Sequence, residues 1–445
     1  MNHLLCGLAA NPALPPELVD RLLALALKEA EADPESKFAD DLLHSLGDRA
    51  DLRHDQILEL TAHSDTMARY LAYGGILDAT DVDPRSAPNA AVALLDERRG
   101  RPEWARFLAT HPDSEIRWKL ASCPGLPQDV VDLLAADPDV EVVEEVALWS
   151  ESPVTARLAL HPEPRVRFAA ASNPTTPLDA VVVLAEDPEL NLCWALSERT
   201  DLPQTLYARL AADPLPGVRA TYARNPGIGQ ELIRVLAADP EDQVRRAVAE
   251  HPHVPLDLLA ELVVDDRAAW NPLPRISAAT PAELTELACS RHAAVRMLVA
   301  QRRDLPAELR DALAVDPDAS VVRAVAPHPG LSEKLLRAMV ARHGVQVLSR
   351  VAANPHASGT LLEFVALHRP GVRRALKEVA KHPHATGPAL LACLPDRTAR
   401  PLAAAHPALP PEVITGLLTD ENRRVAEEAA GNPSLPRAVM VELVP

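Results

Sequence analysis

The sequence predicts an all-α fold, a solenoid of two-helix repeats, and three observations support this prediction. Two markers that contain proline alternate along most of the chain and recur mostly every 26 residues. The apolar residues, 47% of the total, are mainly Ala, Leu and Val, which suits closely packed helices, whereas only 3% of residues are aromatic. A chain of 445 residues is also too long for one ordinary hydrophobic core. A repeat array avoids this limit because its core grows along one axis.

The prolines occupy regular positions. The first marker is Asp-Pro, at residues 137–138, 187–188, 213–214, 239–240 and 316–317. The second marker, about twelve residues later, is Asn-Pro or His-Pro, as in Asn225-Pro226 and His251-Pro252. Proline disfavours helix in the residue before it and fits well at the first position of a new helix. The markers therefore predict about thirteen repeats of 24–28 residues, each with a short helix followed by a longer one.

One repeat illustrates the pattern. The phrase "DQVRRAVAE", residues 242–250, is expected to form the short helix, and "VPLDLLAELVVDD", residues 254–266, the longer one. Leu258, Leu259 and Leu262 lie at helical spacing in the second phrase. Neither helix can bury its apolar stripe alone, so we expect neighbouring repeats to stack and share one core.

These phrases resemble the repeats of the leucine-rich repeat variant (LRV) family, which follow the pattern D-P-x-x-x-V-R-x-x-V-A-x-N-P…L-P-x-x-L-L-x-x-L-A. The resemblance covers residues 104–445 and only fragments of the region before them. It implies a right-handed superhelix in which an α-helix alternates with a short 3₁₀ helix. The short segment of each repeat is therefore expected to be either 3₁₀ or α-helical.

A member of the LRV family also carries an iron–sulfur cluster on a cysteine-rich N-terminal module. Such a cluster needs four cysteine ligands, and Cys6 is the only cysteine in the first hundred residues of this sequence. The sequence departs from the family pattern here, so we expect no iron–sulfur cluster and no other cofactor.

The N-terminal region is less regular than the rest of the chain. Residues 1–103 contain only partial repeats, and we expect them to form an irregular helical cap over the exposed apolar face of the first repeat. Residues 104–445 are expected to form the repeat solenoid.

One repeat, near residues 266–280, is broken. Trp270 stands where a small valine is expected, and Pro272 and Pro274 fall where the short helix should run. Because proline inside a helix removes a hydrogen-bond donor and clashes with the preceding turn, we predict irregular backbone from Trp270 to Ser277. This segment is either a tolerated degenerate repeat or a bend or loop that binds a partner.

An arginine and an aspartate recur once per repeat, in step with each other. The arginines could form a basic stripe for phosphate or an acidic peptide, or they could pair with the aspartates of neighbouring repeats. We favour a structural ladder of pairs, since a binding surface alone does not require the aspartate to keep step with the arginine. The arginines are Arg117, Arg167, Arg219, Arg245, Arg296 and Arg373. The aspartates are Asp137, Asp187, Asp213 and Asp239.

The position after the arginine varies from repeat to repeat. We call these residues the varying row: Trp118, Phe168, Trp194, Arg246, Met297, Arg323 and Arg374. On a helix, Val244 and Val248 share one face, and Arg246 points elsewhere. Aromatic residues and arginine contribute most to binding energy at protein interfaces. The varying row is therefore a candidate surface for a protein or peptide partner, aromatic in its first half and basic in its last. The alternative is that its aromatic side chains pack beneath neighbouring repeats.

The sequence contains no pattern typical of a catalytic or metal site. A Ser/His/Asp order, a glycine-rich phosphate loop and an H-E-x-x-H pattern are all lacking. Sixteen histidines include "HPH" at residues 251–253 and 382–384, but most alternate with Asn at the second marker, so we expect them to cap turns. The five cysteines are far apart and match neither a zinc site nor a disulfide framework. We therefore expect neither enzymatic activity nor a bound metal.

The charge and the apolar pattern indicate the class of protein. A net charge of −18 makes nucleic acid an unfavourable partner, although residues 322–445 carry 15 Lys or Arg against 10 Asp or Glu. The start of the chain does not resemble a signal peptide, and no apolar run is long enough to cross a membrane. We expect a cytoplasmic binding scaffold that does not contact a membrane and is a monomer or weakly self-associating. The alternatives are a glycosylase-like DNA-binding enzyme and a purely architectural, self-assembling solenoid.

Overall fold

The structure is a computed structural model that describes residues 2–33, 35–187, 192, 194–197, 199–265 and 273–445. All regular secondary structure in these residues is helical. The helices follow one another in a repeating two-helix pattern, which confirms the predicted all-α solenoid.

We number the helices of the described residues in chain order. From the N-terminus to Arg224 they are α1 (Asn2–Ala9), α2 (Pro16–Ala32), α3 (Lys37–Gly47), α4 (His54–His63), α5 (Asp65–Tyr73), α6 (Pro88–Asp96), α7 (Pro102–Leu108), α8 (Ser114–Ala121), α9 (Gln128–Leu134), α10 (Val140–Trp149), α11 (Val154–Leu158), α12 (Pro164–Ser172), α13 (Leu178–Leu184), α14 (Gln204–Ala211) and α15 (Pro216–Arg224). The remainder are α16 (Gln230–Ala237), α17 (Asp242–Ala249), α18 (Leu256–Asp265), α19 (Pro274–Ser277), α20 (Pro281–Ala288), α21 (Ala293–Gln301), α22 (Ala307–Leu313), α23 (Ala319–Val325), α24 (Glu333–His343), α25 (Leu348–Ala352), α26 (Gly359–Ala366), α27 (Arg373–Lys381), α28 (Gly387–Cys393), α29 (Arg400–Ala405), α30 (Pro411–Leu417), α31 (Arg423–Ala430) and α32 (Arg437–Leu443).

The first helices of successive repeats pack directly against one another, as α15 does with α17 and α21 with α23. Helix α17 shows why. Val244, Ala247 and Val248 are buried, whereas the rest of the helix is wholly or partly exposed. Small and β-branched side chains let two such helices approach closely. A proline stands immediately before many second helices, as Pro203 does before α14, where its missing N–H leaves no helical hydrogen bond unmade.

The two helices of a repeat differ less than the sequence suggested. The first helices are α-helical and seven to ten residues long in α8, α10, α12, α15, α17, α21 and α23, so the alternative of a 3₁₀ helix is wrong for them. In the described residues the 3₁₀ helix is confined to Gly344–Gln346. Nor is the second helix regularly the longer one: α12 has nine residues and α13 has seven. Helices of seven to ten residues are long enough to place one apolar face on the neighbouring repeats.

The described residues form two compact units. One comprises residues 51–254, and the other comprises residues 1–50 together with residues 255–445. In the second unit α1 packs against α31, at the other end of the chain. The expectation that the N-terminal region covers the first repeat is therefore wrong for α1, because its apolar face lies on the last repeat.

The broken repeat is partly helical. Pro274 is the first residue of α19, and the residues up to Ser277 are helical, so the prediction of irregular backbone is wrong for these four residues. Pro274 is tolerated because the first residues of a helix have no helical acceptor for their N–H groups. The prediction for Trp270 and Pro272 falls outside the described residues.

Candidate functional site

Three sets of side chains recur in the repeats at fixed separations. We call the first set the junction row, because it lies in the turn between the two helices: Asn11, Arg49, Asn173, Arg199, Asn225, His251, Arg302, His328, Asn354, His382, His406 and Asn432. In two further repeats Cys123 and Ser150 hold the same position. The ladder arginines lie six residues before a junction residue, as Arg219 does before Asn225. The varying row lies five residues before it, as Arg246 does before His251.

The ladder arginines bind aspartates of the next repeat. In four pairs the arginine and the aspartate are 20 residues apart: Arg117–Asp137, Arg167–Asp187, Arg219–Asp239 and Arg296–Asp316. The distance from Nε to Oδ2 is 2.7–2.8 Å. In three of them the second hydrogen bond, from Nη2 to Oδ1, is 3.0 Å. The two parallel bonds fix the orientation of the guanidinium group.

The same guanidinium groups also bind their own repeat. Nη1 of Arg219 donates to the backbone oxygen of Asp213 at 2.9 Å, and Nη1 of Arg296 donates to that of Ser290 at the same distance. The hydrogen bonds from Arg219 lower the pKa of the Asp239 carboxyl group, since they stabilise its charged form. Each arginine thus ties the turn of one repeat to the first marker of the next, which is a structural role.

Three residues of the predicted ladder are placed differently, namely Arg245, Asp213 and Arg373. Arg245 donates to the backbone oxygens of Asp239 and Pro240 as the other ladder arginines do, but its carboxylate contact is Asp242, one turn away. Asp213 instead accepts a 2.8 Å hydrogen bond from the backbone N–H of Leu215. The residue 20 positions before Asp213 is a cysteine, so no arginine stands there to meet it.

Arg373 lies outside the register of the ladder. It begins α27, its side chain is largely exposed, and its Nε is 3.8 Å from Asp396. The prediction identified the arginine by the "VRR" phrase, but in the fold a ladder arginine lies six residues before the junction residue. Arg373 is nine residues before His382. Sequence reasoning missed Arg400, which stands six residues before His406 and contacts Asp420, 20 residues later.

The junction row links each repeat to the one before it. Asn354 donates to the backbone oxygen of His328 at 2.7 Å, His382 to that of Asn354 at 2.9 Å, and His406 to that of His382 at 3.0 Å. Asn432 then donates to the backbone oxygen of His406 at 3.0 Å. These side chains are buried, so each bond satisfies a carbonyl oxygen that water cannot reach.

The same side chains also cap their own turns, as expected for the histidines. Nδ1 of His251 accepts a 3.0 Å hydrogen bond from the backbone N–H of His253, and Nε2 lies 2.9 Å from the backbone oxygen of Asn225. Both bonds require a neutral ring with its proton on Nε2. Burial lowers the pKa of His251, and also those of His328 and His382.

Arginines replace Asn or His at three places in the junction row, which sequence reasoning missed. Nη1 of Arg49 donates to the backbone oxygens of Ala9 and Asn11, and Arg199 and Arg302 make equivalent bonds. The missed signal is the proline four residues after Arg199 and Arg302, at the same separation as Pro255 from His251.

The varying row is on the surface. Trp118 and Phe168 are each 39% exposed and Trp194 is 56% exposed, so these side chains are not packed between helices. Arg246 and Arg374 are also exposed, and Met297 and Arg323 are half-buried. Arg374 does not share the register, since it is eight residues before His382, and Lys377 takes its place in the row.

Two further residues belong with the aromatic part of the row. Glu145 is five residues before the junction position at Ser150, and the side chains of Trp149 and Trp118 are near enough to its carboxylate to favour the charged form. Burial raises the pKa of Glu145, and the neighbouring Glu144 adds to the effect. Trp149 is 57% exposed at the end of α10. The sequence did not single out Trp149, because it lies one residue before the junction position and outside the varying row.

The ring of Trp194 lies beside the start of the next repeat. A side chain at Gly217, in the first turn of α15, would come within 3.8 Å of this ring. We call the exposed set Trp118, Trp149, Phe168 and Trp194 the aromatic surface. It belongs entirely to the unit of residues 51–254.

Reactive groups are not assembled elsewhere in the described chain. Burial raises the pKa of the Cys123 thiol to about 12 and that of Cys393 to about 12, so both thiols stay protonated at neutral pH. Among the residues described, no three His, Cys, Asp or Glu side chains are grouped so that they could hold a metal ion. Helices long and apolar enough to cross a membrane are also lacking in the part of the chain with described structure.

Comparison of the sequence with known proteins gives no assignment. It matches no protein-family model and no curated protein.

Proposed function

We propose that the protein is a non-enzymatic scaffold of the LRV type that binds a protein or peptide partner, with the aromatic surface as its main contact. The observation that carries this proposal is the exposure of Trp118, Trp149, Phe168 and Trp194 in consecutive repeats of one unit. The whole chain has only five tryptophans and four phenylalanines, and four of these nine are exposed in these repeats. Exposed aromatic side chains that recur at repeat spacing are typical of binding surfaces in repeat proteins.

The charge of this unit supports a basic partner. Residues 51–254 contain 33 Asp or Glu and 19 Lys or Arg, so the unit is strongly acidic. Glu145 lies between two of the tryptophans, and a carboxylate beside indole rings suits an arginine or lysine side chain, which binds both the charge and the ring face. We therefore propose a partner segment that carries apolar side chains and at least one arginine or lysine.

The test compares two double variants of the same unit. Trp118→Ala/Trp194→Ala removes two rings of the aromatic surface, and Leu133→Ala/Val183→Ala removes two exposed apolar side chains from the second helices α9 and α13. Each variant and the wild type is used to capture partners from native cytosol. The partner captured by the wild type is then purified, and its Kd for each chain is measured.

We expect the tryptophan variant to bind at least about tenfold more weakly, since a buried aromatic anchor contributes 2 kcal/mol or more at such sites (about 30-fold). The control variant should bind as the wild type does. We also expect Kd to rise with salt, because an acidic unit attracts a basic partner. An unchanged Kd in the tryptophan variant, or the same loss in both variants, rules the aromatic surface out as the binding site.

A further inference from the structure

A cavity of about 190 Å³ lies in the unit of residues 1–50 and 255–445, over three successive first helices. Helix α21 contributes Met297 and Gln301, α23 contributes Arg323, and α25 contributes Arg350. Ser320, Ala324, Pro327 and Arg303 complete the wall. We call this cavity the arginine pocket.

The charge of the arginine pocket is one-sided. Three arginines line it, and no Asp or Glu is among its lining residues. Two carboxylates lie close to it in the chain. Asp304 follows Arg303, but both of its oxygens accept hydrogen bonds from Arg302. Asp318 caps α23 and accepts hydrogen bonds from Ser320 through both the backbone N–H and Oγ. Both bonds reach Oδ1 of Asp318, which therefore acts as a cap at the start of the helix.

Two of these arginines differ from those of the ladder. Arg296, on the same helix as Met297, is fixed by two hydrogen bonds to Asp316. Arg303 and Arg350 are exposed, and within the described part of the chain neither lies within 4 Å of a carboxylate. Arg303 and Arg350 therefore add two positive charges to the cavity beside Arg323. This local positive charge contrasts with the net charge of −18 of the whole protein.

We propose that the arginine pocket binds one phosphate monoester group. A guanidinium group donates parallel hydrogen bonds to two oxygens, and three of them around one cavity match the three terminal oxygens and the double negative charge of such a group. A carboxylate offers two oxygens and a single charge, so it satisfies fewer of these donors. Gln301 and Ser320 add neutral hydrogen-bonding groups to the wall.

This inference extends the proposed function by naming a chemical group that the partner carries. It rests on that proposal in one respect, namely that the varying row faces the partner. Met297 and Arg323 belong to the varying row, so a phosphorylated side chain of a bound peptide would reach the arginines from that row. A nucleic-acid backbone fits less well. It presents single charges at regular intervals, which calls for a line of arginines, whereas these three line a single cavity.

The experiment measures the binding of inorganic phosphate to the full chain at constant ionic strength, by calorimetry and by phosphorus NMR. The variants are Arg303→Gln and Arg350→Gln. The matched control is Arg374→Gln, which removes an exposed arginine from α27 in the same unit without touching the pocket. Thermal melting of each variant checks that its fold is intact.

We expect saturable binding of one phosphate per chain that either pocket variant weakens about tenfold or more. The control should bind as the wild type does. A phosphoserine peptide should compete with phosphate, and the same peptide with unmodified serine should not. Lack of saturable binding by the wild type, equal weakening by the control, or tighter competition by single-stranded DNA than by the phosphopeptide overturns the proposal. These outcomes are independent of the tryptophan variants, so failure of the arginine pocket leaves the test of the aromatic surface intact.

Discussion

The side chain of Asn11 donates a 2.8 Å hydrogen bond to the backbone oxygen of Asn432, 421 residues later in the chain. Its amide nitrogen is also 3.0 Å from the backbone oxygen of Ala430. Asn432 makes the same two bonds to the preceding repeat, through the backbone oxygens of Ala404 and His406. Asn11 therefore takes the junction position that follows Asn432, and the N-terminal helices continue the stack of the C-terminal repeats in their unit.

We predict that Asn11→Ala destabilises this unit by about 1–3 kcal/mol, because two buried carbonyl oxygens lose their donor and the backbone N–H of Ala13 loses its acceptor. Urea unfolding followed by circular dichroism measures the change. Asn2→Ala is the matched control, since Asn2 is exposed on α1, the helix that precedes Asn11, and it should leave the midpoint unchanged. Equal midpoints for the two variants would show that Asn11 does not link the ends of the stack.

A second prediction concerns the space between the same two repeats. A side-chain carbon at Gly7 would lie 2.2 Å from the backbone oxygen of Glu427, so Gly7→Ala must push α1 away from α31. We expect a loss of about 1–3 kcal/mol, as for other overpacked contacts. Gly416→Ala is the control within a helix, because nothing lies within 4 Å of a side chain added there. It should be neutral or stabilising by up to about 1 kcal/mol, since alanine favours helix.

The sequence predicted the repeats, the pairing of residues such as Arg219 and Asp239, and the turns around the junction residues, because these features depend on separations of 20–26 residues that recur. It did not predict the contact between Asn11 and Asn432. Asn11 is followed by Pro12 and matches the second marker. A repeat pattern, however, predicts contacts only between successive repeats and does not indicate which distant helices pack together. The assignment of Arg374 to the varying row was wrong for a related reason. Its repeat has extra residues between the "VRR" phrase and the junction residue, so Lys377 lies five residues before His382 instead.

The third prediction compares the stability contributed by a ladder pair with that of an ordinary surface ion pair. Asp316 is buried, and it is bound by both Nε and Nη2 of Arg296. Asp316→Ala leaves that arginine partly buried without its carboxylate, so we expect a loss of about 2–4 kcal/mol in urea unfolding. The control is Asp311→Ala, whose carboxylate is half-exposed and pairs with the adjacent Arg310. We expect the control to lose much less, and a loss as large as that of Asp316→Ala would argue that the ladder contributes nothing beyond a surface pair.

The last prediction is a pH dependence set by the buried histidines. The folded state lowers the pKa of His251, His328 and His382 below the usual value of about 6.5, because burial disfavours the charged ring. Between the folded and the unfolded pKa the unfolded chain binds more protons, so the free energy of unfolding falls as the pH falls. The contribution of these rings is complete above about pH 6.5 and is lost progressively below it.

The measurement is the urea midpoint at pH 7.5, 6.5 and 5.5 for the wild type and for His251→Asn/His382→Asn. Asparagine holds the same position in other repeats and supplies both a donor and an acceptor without titrating in this range, as Asn225 and Asn354 do. We therefore expect the double variant to fold and to lose less stability between pH 7.5 and 5.5 than the wild type. His63→Asn, at the exposed end of α4, is the control and should keep the wild-type dependence. The same dependence in all three chains would mean that the acid sensitivity arises outside the junction row, in the carboxylates that the ladder holds ionised.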